Sequence, residues 1–458
     1  MKMTRRDACR ALAGLSVLGL SGLRVQGDER PDSFRVYTDG PRLLLRPARL
    51  RLLKRERERH SLRWDQFETL WTGGAPFPEL PMVQALRWQI AADRDAGVRA
   101  VAWAVGPGDE VRQIALIADW CDELLSRDDR NQIETKLRRA MNDARPIRTL
   151  DEARAKLFAA VVLSATHQAE SEKAVQSFFD GYWMPNLITL LRSAKTSVGN
   201  ADAYALLEMM HVFRDNLNFD LRDTFPAWFT QQPMLHLLAH YPAPWPAGEN
   251  EYRIPADEAI EKAGPDVRKA VLSRAAEFAM VALDSNVASS QLLQGWLMND
   301  RFLMRGALGI PYEFLWANPY QPGLSYYHAP LALHDAIGGR LFVRSSWEDD
   351  ASWIGFFGGQ LQKFVDGNVI RVDPMTEKEP IDLDQAVVFF GRENRKFVTP
   401  SAKPDEAVNV FIVGLNAGRS YHVEVDGEEM VEEHADPGGI VNLPEVPGTV
   451  GVRMNLRA

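Results

Sequence analysis

The chain is poor in the residues that build small or charged-ligand proteins. Only Cys9 and Cys121 occur in 458 residues, and Cys9 lies in the basic N-terminal stretch. No internal disulfide remains for the rest of the chain, and no CxxC or Cys/His spacing offers a metal site. Basic residues form no stripe or tail of the kind that neutralises phosphates, so nucleic acid is excluded as a partner. Apolar runs long enough to cross a bilayer are missing. The glycine pairs 338–339 and 358–359 follow no phosphate-loop pattern. No repeat period is present, which argues against a solenoid.

What is present is an ordinary globular composition, 46% apolar and 25% charged, with length for two or three domains. Residues 1–27 carry a net charge of +4, leaving −13 on the remainder. Their basic start and the apolar run from Ala11 to Leu23 read as an export signal. Arg5-Arg6 with Arg10 is similar to a twin-arginine signal, and the expected location is periplasmic or secreted.

Residues 39–322 read as helix. A charged amphipathic helix is expected over 47–71, then helices near 82–104, 109–126, 128–143, 150–170, 172–180, 185–195, 200–214, 225–240, 265–283 and 288–307. Gly106-Pro107-Gly108, Pro146, Pro185 and Gly264-Pro265 supply the punctuation. Short connections make neighbouring helices antiparallel, and ten or so such helices suit an α/α toroid. One stiff insertion, 241–255, combines four prolines with Trp245, Tyr252 and Arg253, and loops of this kind often line sites.

A second domain is expected over 323–458, and after Pro330 the period changes to two. Strands are expected at 340–344, 351–357, 368–372, 386–390, 407–413, 420–425 and 449–456, with hairpin signals at Asp426-Gly427 and 436–439. The expected fold is therefore α+β and multidomain: an N-terminal (α/α) toroid followed by a C-terminal antiparallel β-sandwich.

Three stretches resemble the heparinase II/III-like and alginate-lyase-like polysaccharide lyases. They are Gly40-Pro41-Arg42-Leu43-Leu44-Leu45 with the arginine-rich helix after it, the series Tyr182-Trp183, Gly199-Asn200 and 241–255, and the segment 340–356. The resemblance implies β-elimination on a uronate-containing glycan. Polar donors offset the substrate carboxylate, while Tyr or His groups move the protons. It implies Asn200 as carboxylate neutraliser and Tyr252 as catalytic tyrosine, with an anionic polysaccharide or oligosaccharide as partner and no cofactor. This sequence departs from the pattern at Ala201, where a histidine often follows the asparagine. It departs again at 356–364, which contains no histidine.

The residues add their own candidates. Tyr326, Tyr327 and His328 lie where helix gives way to strand, and Tyr326 and His328 suit acid–base work. Tyr204 and His211 fall on one stripe with Asn200, and with Trp245 and Arg253 they are the expected substrate contacts. His236 and His240 have the i, i+4 spacing of a metal pair without an evident third ligand, so no metal is expected. His328 and His334 would share a face of one continuous strand. Glu348, Asp349 and Asp350 read as a solvated turn. The alternatives are a glycan-binding or scaffold protein of the same fold without catalysis, and a glycoside hydrolase, which needs two opposed carboxyls.

Overall fold

Local chemistry sets where each helix begins. In the computed structural model, α1 (Pro47–Glu58) has proline in its first turn, and α2 (Leu62–Thr72) is capped by Ser61, whose side chain accepts from Trp64 N. The single helix expected over 47–71 is thus two, because His60 takes a left-handed conformation, φ 50°, before the Ser61 cap. The same device divides 82–104. Ala92, φ 54°, ends α3 (Leu80–Ala91), and Asp93 caps α4 (Arg94–Val105).

The chain continues through α5 (Val111–Trp120), capped by Glu110, and α6 (Arg127–Met141), which opens on a Ser126/Asp129 capping box. In place of the two helices expected at 150–170 and 172–180 there is one, α7 (Leu150–Phe178), kinked at His167. It runs on as a π-helical stretch, Phe179–Ile188, around Pro185, which has no N–H to give. Asn186 Nδ2 and Thr189 Oγ1 donate to the carbonyls of Gly181 and Met184 there, at 2.9 and 2.8 Å. The short α8 (Thr189–Arg192), α9 (Ala203–Leu217), α10 (Pro226–Leu238), α11 (Val267–Leu283), α12 (Ala288–Asn299) and α13 (Ile310–Trp316) complete the helical part. The last was not anticipated. Seven residues are too few to show a helical period, and here packing supplies the stability.

The structure describes residues 33–37, 40–247, 250–256, 266–299, 306–374, 376–377, 379–383, 385–391, 396–398, 407–425, 431–447 and 451–456. The expected export signal and the Asp426-Gly427 hairpin lie outside them. Residues Arg35–Ala458 form one unit. Within it, helix contacts run α1–α3–α5–α7–α9–α11–α13, then α13 to α2 and α2 to α1.

Two short strands, β1 (Trp245–Ala247) and β2 (Asn250–Tyr252), make a hairpin after α10, with Trp245 opposite Tyr252. The remaining strands form three sheets. The first is a five-stranded antiparallel meander of β3 (Ala332–Asp335), β4 (Arg340–Arg344), β5 (Trp353–Phe357), β6 (Gln360–Val365) and β7 (Asn368–Val372). The second joins β8 (Ile381–Asp382), β9 (Ala386–Phe390), β11 (Ala407–Val413) and β14 (Val441–Pro447). The third joins β10 (Lys396–Val398), β12 (Ser420–Val425), β13 (Val431–His434) and β15 (Gly451–Leu456).

One pair departs from the antiparallel expectation: β9 and β11 run parallel. Both strands read as near-continuous apolar runs, the pattern of a sheet covered on both faces. The core agrees. Ala386, Val388 and Phe390 share a buried cluster with Leu341, Ile354 and Phe356 of the first sheet. Val387 and Phe389 share another with Tyr421, Val423 and Val452 of the third. Alternate residues of one strand therefore serve two cores.

The helices and the first sheet meet at α10, which contacts β3 and β4. Trp353 Nε1 donates to Leu238 O at 2.9 Å, and the buried Tyr241 hydroxyl donates to Gln362. Gly295 of α12 lies so close to the chain at Leu324 that an added Cβ would sit 1.8 Å from its carbonyl oxygen. That close approach holds the segment leading to the 3₁₀ turn Tyr326–His328 against α12.

Candidate functional site

Two clusters gather the candidate residues, and they differ in access. The first lies among the helices. Glu208 on α9 is fully buried and accepts four hydrogen bonds. Arg112 of α5 donates from Nη2 (2.7 Å) and Nε (2.8 Å), Arg154 of α7 from Nη1 (2.7 Å), and Tyr204 from its hydroxyl (2.7 Å). Burial alone would raise this carboxyl. The two guanidiniums and the bonds they share with Tyr204 hold it below the ordinary carboxylate value. Tyr204 also accepts from Trp316 Nε1 at 3.0 Å, and burial beside Glu208 pushes its hydroxyl well above the usual tyrosine range. Arg112 extends the network to Glu79, which accepts from Tyr312 at 2.9 Å.

One turn along α9, His211 is 1% exposed. Its Nε2 lies 2.9 Å from Ala279 O, and its Nδ1 lies 3.0 Å from Arg214 Nη2. A carbonyl needs a donor and a guanidinium needs an acceptor, so the ring is neutral with its proton on Nε2. Burial, with Arg49 and Arg214 nearby, keeps it so by lowering its pKa well below the usual value. Asn200, just before α9, is also 1% exposed. The structure thus brings Tyr204 and His211 together around Trp316, with Asn200 buried near the start of the same helix, and gives none of the three a face to solvent.

The second cluster lies on the seam and opens outward. Tyr326 and Tyr327 stack with centroids 4.5 Å apart and planes 27° apart. Tyr326 is buried and meets Trp347 edge-on at 5.5 Å, while Tyr327 is 50% exposed. Trp347 donates from Nε1 to Ala329 O, and the Arg344 guanidinium lies 4.3 Å from its ring centre. Burial and the neighbouring Arg253 charge lower Arg344 to about 10. Arg253, at the foot of the β1–β2 hairpin, donates to Pro242 O and, at 3.0 Å, to Asp349 Oδ1. Trp245 on that hairpin is exposed, and His328 is exposed beside Tyr327. Tyr252 is placed by its strand alone. Sequence reasoning singled out Tyr326, Arg253, Trp245 and His328 here but not Trp347 or Arg344 as their support.

His328 and His334 do not share a strand. His328 ends a 3₁₀ turn, whereas His334 on β3 pairs with Asp436 at 2.8 Å. His236 and His240 do have a third neighbour, Glu277 of α11. His240 Nε2 is 3.2 Å and His236 Nδ1 3.8 Å from Glu277 Oε1, with Arg274 at 3.4 Å from Oε2. All four are buried. The guanidinium beside the carboxylate supplies the positive charge a metal would bring. Among the described residues, no group of three or more His, Cys, Asp or Glu is placed to hold a metal ion. A cavity of about 240 Å³ between α9, α10 and α11 is lined by Leu206, Met210, Phe229 and Met280 and by none of the candidate residues. No helix of the described residues is long and apolar enough to cross a membrane.

No protein-family profile matches the sequence, and no curated protein matches it. A solved structure titled "Glycoside hydrolase" is similar over 93% of this chain and 77% of its own, at 9% identity and a TM-score of 0.34. A likeness of that size carries no argument about fold or chemistry.

Proposed function

We propose that this is an exported carbohydrate-binding protein that holds sugar on the seam between its helices and its first sheet. The observation that carries the reading is the Tyr326–Tyr327 stack. Its inner ring is buried against Trp347, and its outer ring is half exposed. A rigid aromatic face with a wet edge suits the apolar face of a pyranose, and the exposed His328 next in the chain adds a hydrogen-bonding group. The cyclic order of helix contacts supports reading the helical part as an α/α toroid. The two core clusters support reading the sheets as stacked layers.

Binding without turnover is favoured over β-elimination by the state of the residues that would run it. A lyase needs Asn200 at the substrate carboxylate, yet Asn200 is closed to solvent while His328 is open. Tyr204 and His211 are committed to internal bonds.

The test is calorimetry on a glycan panel with the intact protein and Tyr327→Ala. The expected result is binding in the intact protein and at least a tenfold loss in the variant, with no absorbance rise near 232 nm and no release of reducing ends. A 232 nm signal restores the lyase reading. Reducing-end release that disappears in Asp349→Ala points to a hydrolase. Glycan binding unchanged in Tyr327→Ala removes the seam as the site.

A further inference from the structure

We infer that the seam selects uncharged glycans and excludes uronate polymers, an inference that rests on the carbohydrate-binding reading above. The positive charge at the seam is already paired. Two guanidiniums stand at the platform, and among the described residues both are engaged. Arg344 is 4% exposed, donates from Nε to Ser346 O at 2.6 Å and lies over Trp347. Arg253 divides its donors between Pro242 O and the Asp349 carboxylate. A substrate carboxylate arriving here would have to displace Asp349 to reach a guanidinium, exchanging one carboxylate for another with no gain in pairing.

The remaining charge opposes an anion. Glu348, Asp349 and Asp350 follow Trp347 directly in the β4–β5 turn, and all three are exposed. Asp349 is offset by Arg253. Glu348 and Asp350 are exposed within three residues of Trp347, and among the described residues neither has an ion pair with Arg253 or Arg344. The formal count of the five groups is −1, and the chain beyond residue 27 carries −13. Like charges across a binding face cost affinity and slow the encounter, and both effects shrink with salt. A neutral pyranose meets none of this. It presents C–H groups to the exposed Tyr327 ring and hydroxyls to the carboxylates, which are good acceptors for them.

The experiment compares size-matched neutral oligosaccharides (β-glucan, xylan and mannan series) with oligouronates (mannuronate, guluronate and galacturonate series). Calorimetry is run at pH 8 with the full chain in 50 and 300 mM salt. The intact protein should bind at least one neutral series ten times or more tightly than any uronate, with little salt dependence. Glu348→Gln/Asp350→Asn alters two exposed side chains outside every core cluster. It should raise uronate affinity several-fold and narrow the gap. Uronates that bind as tightly as neutral sugars overturn the inference while leaving the seam as a glycan site. A gap that stays the same in the double variant also overturns it, because the turn would not be its source. Silence from every series removes the seam reading itself, and this inference with it.

Discussion

Two clusters in this protein are made of the same materials, tyrosine, tryptophan, arginine and a carboxylate. Around Glu208, five helix-borne side chains close on one another until every polar atom of the carboxylate and of Tyr204 has a partner. On the seam, Arg344, Trp347, Tyr326 and Tyr327 form a chain of contacts that ends in a half-exposed ring, and the Arg253–Asp349 pair is near enough for its charges to act on Arg344. Residue type does not separate the two clusters; access does. The first cluster joins α5, α7, α9 and α13, and the Glu208 carboxylate and the Tyr204 hydroxyl at its centre are fully engaged inside it. The second has its inner members fixed by packing and its outer members open, the arrangement a preorganised recognition surface requires.

The largest effect that would break this comparison lies at Glu208. Glu208→Ala leaves a void beside the buried Arg112 and the half-buried Arg154. The expected cost is about 3–5 kcal/mol, as for removal of one partner of a buried pair. Denaturant unfolding measures it. A loss under about 1 kcal/mol would mean that the hub is not structural, and Tyr204 would return as a candidate for chemistry. Tyr327→Ala, by contrast, should change stability by no more than about 0.5 kcal/mol, as for an exposed site.

A smaller effect is expected from acid. Burial, opposed by the Glu277 charge, holds His240 at about 4 in the folded protein. Its unfolded value is about 6.5, so between pH 6.5 and 4 the unfolded chain binds the extra proton. The neutral histidine's contribution is complete above pH 6.5 and is lost as pH falls towards 4, a total of about 3 kcal/mol. Glu277 is held below the ordinary carboxylate value, against burial, by His240 and Arg274. Its contribution is lost in a separate, lower window, below about pH 4.5. The slope of unfolding free energy between pH 4.5 and 6.5 should therefore flatten in His240→Phe. An unchanged slope would show that the proton is taken up elsewhere.

How far these clusters were legible in the sequence follows from the range of the forces involved. Helix and strand regions announced themselves by period, and β4, β7, β9, β11 and β12 fall where alternation or apolar runs put them. Helix limits were less visible where one residue in a left-handed conformation, His60 or Ala92, ends an otherwise continuous pattern. The parallel pairing of β9 with β11 rests on contacts made far along the chain, which a local pattern does not encode. The seam was legible as a place, because Tyr326 and His328 mark the change of period. Its support was not, because Arg344, Trp347 and Arg253 come together only through the fold. The hub was masked for a related reason. Tyr204, Glu208 and His211 share one stripe of α9, but Arg112 and Arg154 come from α5 and α7, and without them a buried stripe looks like a site.

A small effect on stability is also the sharpest test of how the two clusters differ. Asp349 is 64% exposed and its pair with Arg253 lies at the surface, so Asp349→Asn should cost less than about 1 kcal/mol. It would nevertheless release the Arg253 guanidinium at the edge of the platform and remove one carboxylate. Uronate affinity should rise while affinity for neutral sugars stays within about twofold, a change well under 1 kcal/mol. The Arg112–Glu208 pair of the hub admits no such exchange, because both charges are buried and neither partner can be replaced by water. If Asp349→Asn unfolds the protein, or leaves both affinities where they were, Arg253 belongs to the framework as Arg112 does, and the seam is less open than its exposed tyrosine makes it.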